Sequence, residues 1–85
     1  MTKVKIYTTP YCPFCIKAKR LLIGKNIDFK EIDLSEKPEK FDEMNKKSNG
    51  ARTVPQIFVD DTHIGDCDYI HELDNKGKLD KILGI

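Results

Sequence analysis

The Cys-Pro-Phe-Cys segment at residues 12–15 constrains this chain more than any other feature, because it follows a short apolar segment and opens a stretch with helical spacing. A cysteine reacts as its thiolate, and the free N–H groups and positive dipole end of a helix N-terminus stabilise that anion. Pro13 suits the first helical turn, where its missing N–H is not needed. We therefore predict that Cys12 lies exposed at the helix start, with Cys15 one turn further in and within disulfide reach.

Two structural interpretations of the cysteine pair are weaker. A structural zinc site usually has four ligands, and the remaining candidates, Cys67, His63 and His71, form no second paired motif, so we expect no metal. A structural disulfide is disfavoured because the chain has three cysteines and shows neither a signal peptide nor a long apolar segment. The pair is therefore interpreted as a redox-active dithiol of a cytoplasmic protein.

The composition is that of one small folded domain. Of the 85 residues, 39% are hydrophobic and 34% are charged, which argues against wholesale disorder. The formal net charge of +1 provides no general attraction to nucleic acid or to an acidic membrane. We predict a single domain over residues 1–85 that acts as a monomer, without a nucleic-acid or membrane partner.

Apolar periodicity predicts strands that alternate with helices. Strands are predicted at 4–7, within 27–34, at 56–59 and around 63–64, and helices at 13–25, 38–47, 67–74 and around 79–83. We expect the second helix to be entered through Ser35 or a neighbour, and Asp60-Asp61 to form a hairpin turn. The first strand–helix–strand unit should be parallel, and the last two strands antiparallel. This order predicts an α/β fold with helices on both faces of a mixed sheet and the cysteines at the C-terminal end of the first strand.

Three motifs occur together along the chain: the 12–15 segment, Thr53-Val54-Pro55, and the Gly-Asp-Cys-Asp segment at 65–68. With them the chain resembles the dithiol glutaredoxins of the short bacterial type over nearly its whole length. The resemblance implies a thioredoxin fold with a four-stranded mixed sheet flanked by helices. It also implies a glutathione-dependent thiol–disulfide oxidoreductase that reduces protein disulfides and glutathione mixed disulfides, with glutathione as co-substrate and no tightly bound cofactor.

The resemblance also implies roles for particular residues. Cys12 would be the nucleophile and Cys15 the resolving thiol, so that the two form the redox-active disulfide. A cis Pro55 would let the Val54 backbone pair with glutathione, and N–H groups at the next helix start would hold its γ-glutamyl carboxylate. The expected glutathione-binding residues are Phe14, Thr53, Val54, Pro55, Cys67 and Asp68. Apart from this contact, Cys67 is expected to be a buried small hydrophobic residue rather than a third redox centre.

Some positions depart from the family pattern. Thr9 stands where many glutaredoxins have Lys or Arg, and Asp66 stands where many have Gly. Asp66 is expected to repel the carboxylate of glutathione, and it can cap a helix at the same time. A cation for the glycyl carboxylate would then come from Arg52, Lys17 or Lys19. His63 and His71 match none of the motifs, and we expect no catalytic role for either residue.

Two other functions remain as alternatives. The first is a protein with the glutaredoxin shape that is reduced by thioredoxin reductase rather than by glutathione, and the departures at Thr9 and Asp66 leave it open. An iron–sulfur carrier with the cluster between two protomers is the other alternative, and Pro13 argues against it by comparison with the family's cluster binders. Within the leading hypothesis, the expected protein partners are glutathionylated proteins or ribonucleotide reductase, with glutathione reductase acting indirectly.

Overall fold

Across residues 3–85, which the computed structural model describes, the chain folds into the predicted alternation of strands and helices. Four strands and four helices follow one another as β1 (Val4–Thr8), α1 (Pro13–Gly24), β2 (Phe29–Asp33), α2 (Lys40–Lys47), β3 (Gln56–Val59), β4 (Thr62–Gly65), α3 (Cys67–Asn75) and α4 (Leu79–Leu83). Among these described residues, no helix combines the length and the apolar character needed to cross a membrane.

The four strands form one mixed sheet in the order β2-β1-β3-β4. Strand β1 is parallel to β2, and β3 is antiparallel to both β1 and β4. The turn between β3 and β4 has Asp60 and Asp61 at positive φ angles, +51° and +66°, as a tight primed hairpin turn requires. The predicted parallel unit, the antiparallel hairpin and the mixed sheet are thus confirmed.

Helices cover both faces of the sheet. Successive side chains of a strand point to opposite faces, and here both faces carry apolar side chains that helices bury. In β1, Ile6 packs with α1, α3 and α4, whereas the neighbouring Tyr7 packs on the opposite face with Met44 of α2. Strand β3 divides in the same way, since Ile57 faces the larger cluster and Phe58 the smaller. The larger core lies under α1 and α3, which are the helices that carry the cysteine motifs.

The start of the second helix differs from the prediction. Helix α2 begins at Lys40, and its N-cap residue Glu39 makes no side-chain capping hydrogen bond. Ser35 instead closes the turn after β2, because its backbone N–H and its hydroxyl both donate to Asp33 Oδ1, at 2.8 and 2.6 Å. The expectation that Ser35 or a near neighbour leads directly into the helix is therefore wrong, and the helix gains its stability from the burial of Met44.

Candidate active site

The three sequence motifs meet at one end of the sheet because of its strand directions. Strand β1 ends where the antiparallel β3 begins, as the pairing of Tyr7 with Gln56 shows. Strand β4 ends at the same edge, where Gly65 pairs with Ile57. The loop after β1, the loop before β3 and the start of α3 therefore converge, although they are far apart in sequence.

Cys12 occupies the N-cap position of α1, as predicted from Pro13 and the helical spacing. Its sulfur accepts a hydrogen bond from the Cys15 backbone N–H at 3.3 Å. Cys12 is partly exposed, whereas Cys15 is buried, with 1% of its surface accessible. The structure therefore separates the two thiols into an accessible one at the helix terminus and a protected one behind it.

The pKa of the Cys15 thiol is raised to about 12, chiefly by burial and in addition by a hydrogen bond to the adjacent Cys12 sulfur and by its charge. The Thr9 backbone N–H and the Lys19 ammonium act in the opposite direction, because both favour the thiolate. Cys15 is thus a neutral thiol at neutral pH while Cys12 is free. The same environment still contains two groups that can stabilise its anion.

The segment Thr53-Val54-Pro55 faces Cys12 across the end of the sheet. The Val54–Pro55 peptide bond is cis, as the resemblance implied. The Cys12 thiol donates to the Val54 carbonyl oxygen at 3.6 Å, a sulfur contact that joins α1 to this segment. Backbone polar groups of the segment thus lie beside the accessible sulfur.

A cleft of about 260 Å³ borders Val54, whose carbonyl oxygen contacts the Cys12 sulfur, and it unites the residues that the resemblance assigned to glutathione. One wall belongs to the 53–55 segment, another to Phe14, which is 52% exposed, and the third to the start of α3. Its lining residues are Phe14, Thr53, Val54, Pro55, Asp66, Cys67 and Asp68. All six predicted binding residues therefore lie together around one cavity.

Asp66 caps α3, which was one of its two predicted roles. Its Oδ1 accepts the Tyr69 backbone N–H at 3.0 Å, and its exposed carboxylate also borders the cleft. The preceding residue, Gly65, lies under the Tyr69 side chain with φ at +151°, where an added Cβ would come within 2.7 Å of the ring. The start of α3 thus combines a capping carboxylate with a tightly packed glycine.

The three candidate cations for the glycyl carboxylate differ in their positions. Lys19 is paired with Glu31 at 2.9 Å, and Glu31 also accepts from the Thr8 hydroxyl. Arg52 is exposed and does not line the cleft. Lys17 lies 5.9 Å from the centre of the Phe14 ring and lines a neighbouring groove that shares the Phe14 wall. Lys17 is therefore the candidate placed beside the cleft.

Cys67 is buried, with 4% of its surface exposed, as predicted. Its sulfur lies 3.4 Å from His71 Nδ1, and the same ring nitrogen lies 2.8 Å from the Cys67 carbonyl oxygen. Burial and nearby carboxylates raise the pKa of the Cys67 thiol, so the neutral form is favoured. No cluster of three or more potential metal-ligating side chains occurs among residues 3–85.

Gln56 is a buried polar residue whose position in the sequence indicates only that it belongs to a strand. Its amide nitrogen lies 3.1 Å from the Thr53 carbonyl oxygen and 3.3 Å from the Thr53 hydroxyl. Its amide oxygen lies 2.7 Å from His63 Nε2 on β4. In the sequence, Gln56 could have been noticed as a polar residue between Pro55 and the apolar part of the strand. Its partner on β4, His63, follows only from the hairpin pairing.

A vicinal pair of thiols at this edge of such a sheet places the chain among the thiol–disulfide oxidoreductases of the thioredoxin fold. The sequence model of the family described as Glutaredoxin matches residues 4–64. The glutaredoxin of Pseudomonas aeruginosa is 51% identical over 83 residues, which cover 98% of each chain. The chain therefore belongs to the glutaredoxin family, whose members are glutathione-dependent thiol–disulfide oxidoreductases.

Solved structures of the family agree with this assignment. The solution structure of the glutaredoxin from Brucella melitensis superposes with a TM-score of 0.82 at 47% identity and covers 98% of this chain and 89% of that one. The buckwheat glutaredoxin–glutathione complex superposes with a TM-score of 0.86 at 27% identity, over 98% of this chain and 77% of that one. The thioredoxin fold predicted from the motifs is thus confirmed.

Proposed function

We propose that Cys12 is the nucleophile of the exchange reaction. The supporting observation is the position of its sulfur, at the N-terminus of α1 and beside the cleft that unites the six predicted binding residues. The Cys12 thiolate attacks the glutathione sulfur of a mixed disulfide, and the substrate leaves as a thiolate that takes up a proton. A second glutathione thiolate then attacks the glutathione sulfur bound to Cys12, which releases glutathione disulfide and restores the Cys12 thiolate.

Protein disulfides follow a dithiol route in this proposal. Cys12 first forms a mixed disulfide with one sulfur of the substrate, and the Cys15 thiolate then attacks the Cys12 sulfur. This second step releases the remaining substrate thiol and leaves a Cys12–Cys15 disulfide, which two glutathione molecules reduce. The contact between the Cys15 N–H and the Cys12 sulfur at 3.3 Å supports this step, because it holds the two residues one helical turn apart.

Glutathione binds in the cleft in an extended conformation. Its cysteinyl backbone pairs with the backbone of Val54, between Phe14 and the 53–55 segment. Its γ-glutamyl carboxylate accepts N–H groups at Cys67 and Asp68, since the start of a helix offers unpaired donors. The Asp68 carboxylate faces the γ-glutamyl ammonium, and Lys17, which lines the neighbouring groove together with Cys67 and Asp68, adds positive charge at this γ-glutamyl end.

We further propose that residues 1–85 act as a single-domain monomer in the cytoplasm. The protein partners in this proposal are glutathionylated proteins and disulfide-containing enzymes such as ribonucleotide reductase. Glutathione reductase regenerates reduced glutathione from the disulfide product and acts only indirectly on this protein. No metal or tightly bound cofactor takes part in the proposed reaction.

The direct assay is reduction of a small glutathione mixed disulfide, coupled to glutathione reductase and NADPH. Wild type and the surface variant Lys30→Ala, on the exposed side of β2, should turn over the substrate. Cys12→Ser should be inactive, because serine provides no thiolate. Turnover with thioredoxin reductase, but not with glutathione, would favour the alternative electron donor and would refute the glutathione proposal.

A further inference from the structure

The segment 53–55, which faces Cys12, is hydrogen-bonded on its other side by the buried side chain of Gln56. Gln56 is 4% exposed, and its amide lies between the Thr53 segment and His63. A buried amide that loses a partner incurs a desolvation cost, so these contacts fix the side chain in one orientation. The segment 53–55 has little regular structure of its own, and Gln56 provides it with two hydrogen bonds to Thr53.

The orientation of the Gln56 amide follows from the Thr53 carbonyl. A backbone carbonyl oxygen can only accept, so the amide nitrogen of Gln56 must face it, and the amide oxygen must face His63. That oxygen can also only accept, which means that His63 Nε2 must carry a hydrogen. The carbonyl of Thr53 thus determines the hydrogen-bond direction along the whole chain of three residues.

His63 is well placed to be a fixed donor. Its ring lies 5.1 Å from the Phe58 ring, centre to centre, at an angle of 45°. Burial lowers the pKa of its imidazole, which keeps the ring neutral at neutral pH. A neutral ring with its hydrogen on Nε2 satisfies Gln56 and leaves Nδ1 without a hydrogen.

We propose that His63 and Gln56 are positioning residues for glutathione, acting through the backbone of the 53–55 segment. The chain of hydrogen bonds from His63 Nε2 to Gln56 and from Gln56 to Thr53 holds Val54 in place opposite the Cys12 sulfur. The inference rests on the proposed binding of glutathione along Val54. Neither residue touches the reacting sulfur atoms, so loss of the chain should weaken glutathione binding more than it slows the chemical step.

Three variants separate positioning from simple packing. His63→Phe keeps an aromatic ring against Phe58 but removes the donor to Gln56. His63→Gln restores an N–H donor on the same strand and should rescue the defect. Gln56→Leu has a similar volume and removes all three hydrogen bonds. Thr62→Ala, at an exposed neighbouring position on β4, is the matched control.

The measurements are the KM for glutathione and kcat in the mixed-disulfide assay, with thermal unfolding to verify folding. We expect His63→Phe to raise the KM about fivefold, which is the scale of one net hydrogen bond, and Gln56→Leu to raise it at least as much, with kcat of both variants within about twofold of wild type. The double variant should be no worse than Gln56→Leu alone, because His63 acts only through Gln56. An unchanged KM in folded variants, or additive effects in the double variant, would overturn the proposal.

Backbone 15N NMR relaxation at Thr53 and Val54, measured without glutathione, provides a test that does not depend on the enzyme's electron donor. Both single variants should show lower order parameters at these two amides, whereas Thr62→Ala should match wild type. Unchanged order parameters would overturn the positioning role. Failure of wild type to use glutathione, combined with lower order parameters in the variants, would refute the proposed function but retain the structural role of His63 and Gln56.

Discussion

At the residue scale, the environment of Cys15 changes during the proposed reaction. Burial is the largest cause of its raised pKa of about 12, and the hydrogen bond and charge of Cys12 add to it. When Cys12 is bound in a mixed disulfide it carries no thiolate, so the charge contribution disappears. The Thr9 N–H and Lys19 still favour the Cys15 thiolate at that stage. Cys15 thus becomes easier to deprotonate at the step in which it attacks.

Alkylation kinetics test this description of Cys15. In Cys12→Ser, the thiolate fraction of Cys15 should stay small at pH 8, because burial, the largest cause of the raised pKa, remains. A raised pKa means that Cys15 keeps its proton through neutral pH. The rate of its reaction with iodoacetamide should therefore keep rising at pH values above 9, the ordinary pKa of a thiol. Peptide mapping assigns the label to Cys15 rather than Cys67. A rate for Cys15 that levels off below pH 9 would contradict the prediction.

At the element scale, Asp66 at the start of α3 has two effects, helix capping and a negative charge beside the cleft, which a substitution can separate. Asp66 caps the helix through the Tyr69 N–H, and its carboxylate also lies on the cleft wall. The cap stabilises the helix, whereas the negative charge opposes an anionic ligand nearby. Asparagine caps helices about as well as aspartate, so the charge can be removed while the cap is kept.

Asp66→Asn should therefore lower the KM for glutathione modestly without a change in thermal stability. The expected gain is about 0.5–1 kcal/mol, the scale of a partly screened charge interaction, and it should shrink at high salt. Asp66→Ala removes the same charge but also the cap, and should cost about 1 kcal/mol of unfolding free energy. Steady-state kinetics and thermal melts of both variants check the two effects. An unchanged or higher KM for the folded Asn variant at low ionic strength would show that Asp66 does not oppose glutathione.

A pair of glycines tests the packing at the same helix start. Gly65→Ala places a Cβ within 2.7 Å of the Tyr69 ring at a positive φ angle, so Tyr69 must move and the free energy of unfolding should fall by about 1–3 kcal/mol. Gly24→Ala, at the end of α1, meets no atom within 4 Å and should be neutral or stabilising by up to about 1 kcal/mol. Chemical denaturation measures both variants. Equal stability of Gly65→Ala and wild type would contradict the packing seen at α3.

At the scale of the whole molecule, the topology was predictable because most elements have a clear apolar period and most connections are short, although α2 buries only Met44. The convergence of the 12–15, 53–55 and 65–68 segments followed from the strand order combined with the family motifs. Local hydrogen bonds were harder to predict from the sequence. The turn at Asp33 and Ser35 is an example, because a serine can either cap a helix or close a turn. The contact between Gln56 and His63 was missed because it depends on the irregular register of the β3–β4 hairpin.

The central claim about the whole enzyme is that Cys12 acts as the nucleophile and Cys15 as the resolving thiol. An accessible Cys12 at a helix terminus and a buried Cys15 imply that only Cys12 exchanges directly with glutathione. Mass spectrometry of Cys15→Ser and Cys12→Ser, each treated with glutathione disulfide and then mapped by peptide, tests this most directly. The account predicts one glutathione on Cys12 in Cys15→Ser, removable by reduced glutathione, and no adduct on Cys15 in Cys12→Ser. Glutathione on Cys67 with Cys12 left free in Cys15→Ser, or glutathione on Cys15 in Cys12→Ser, would contradict it.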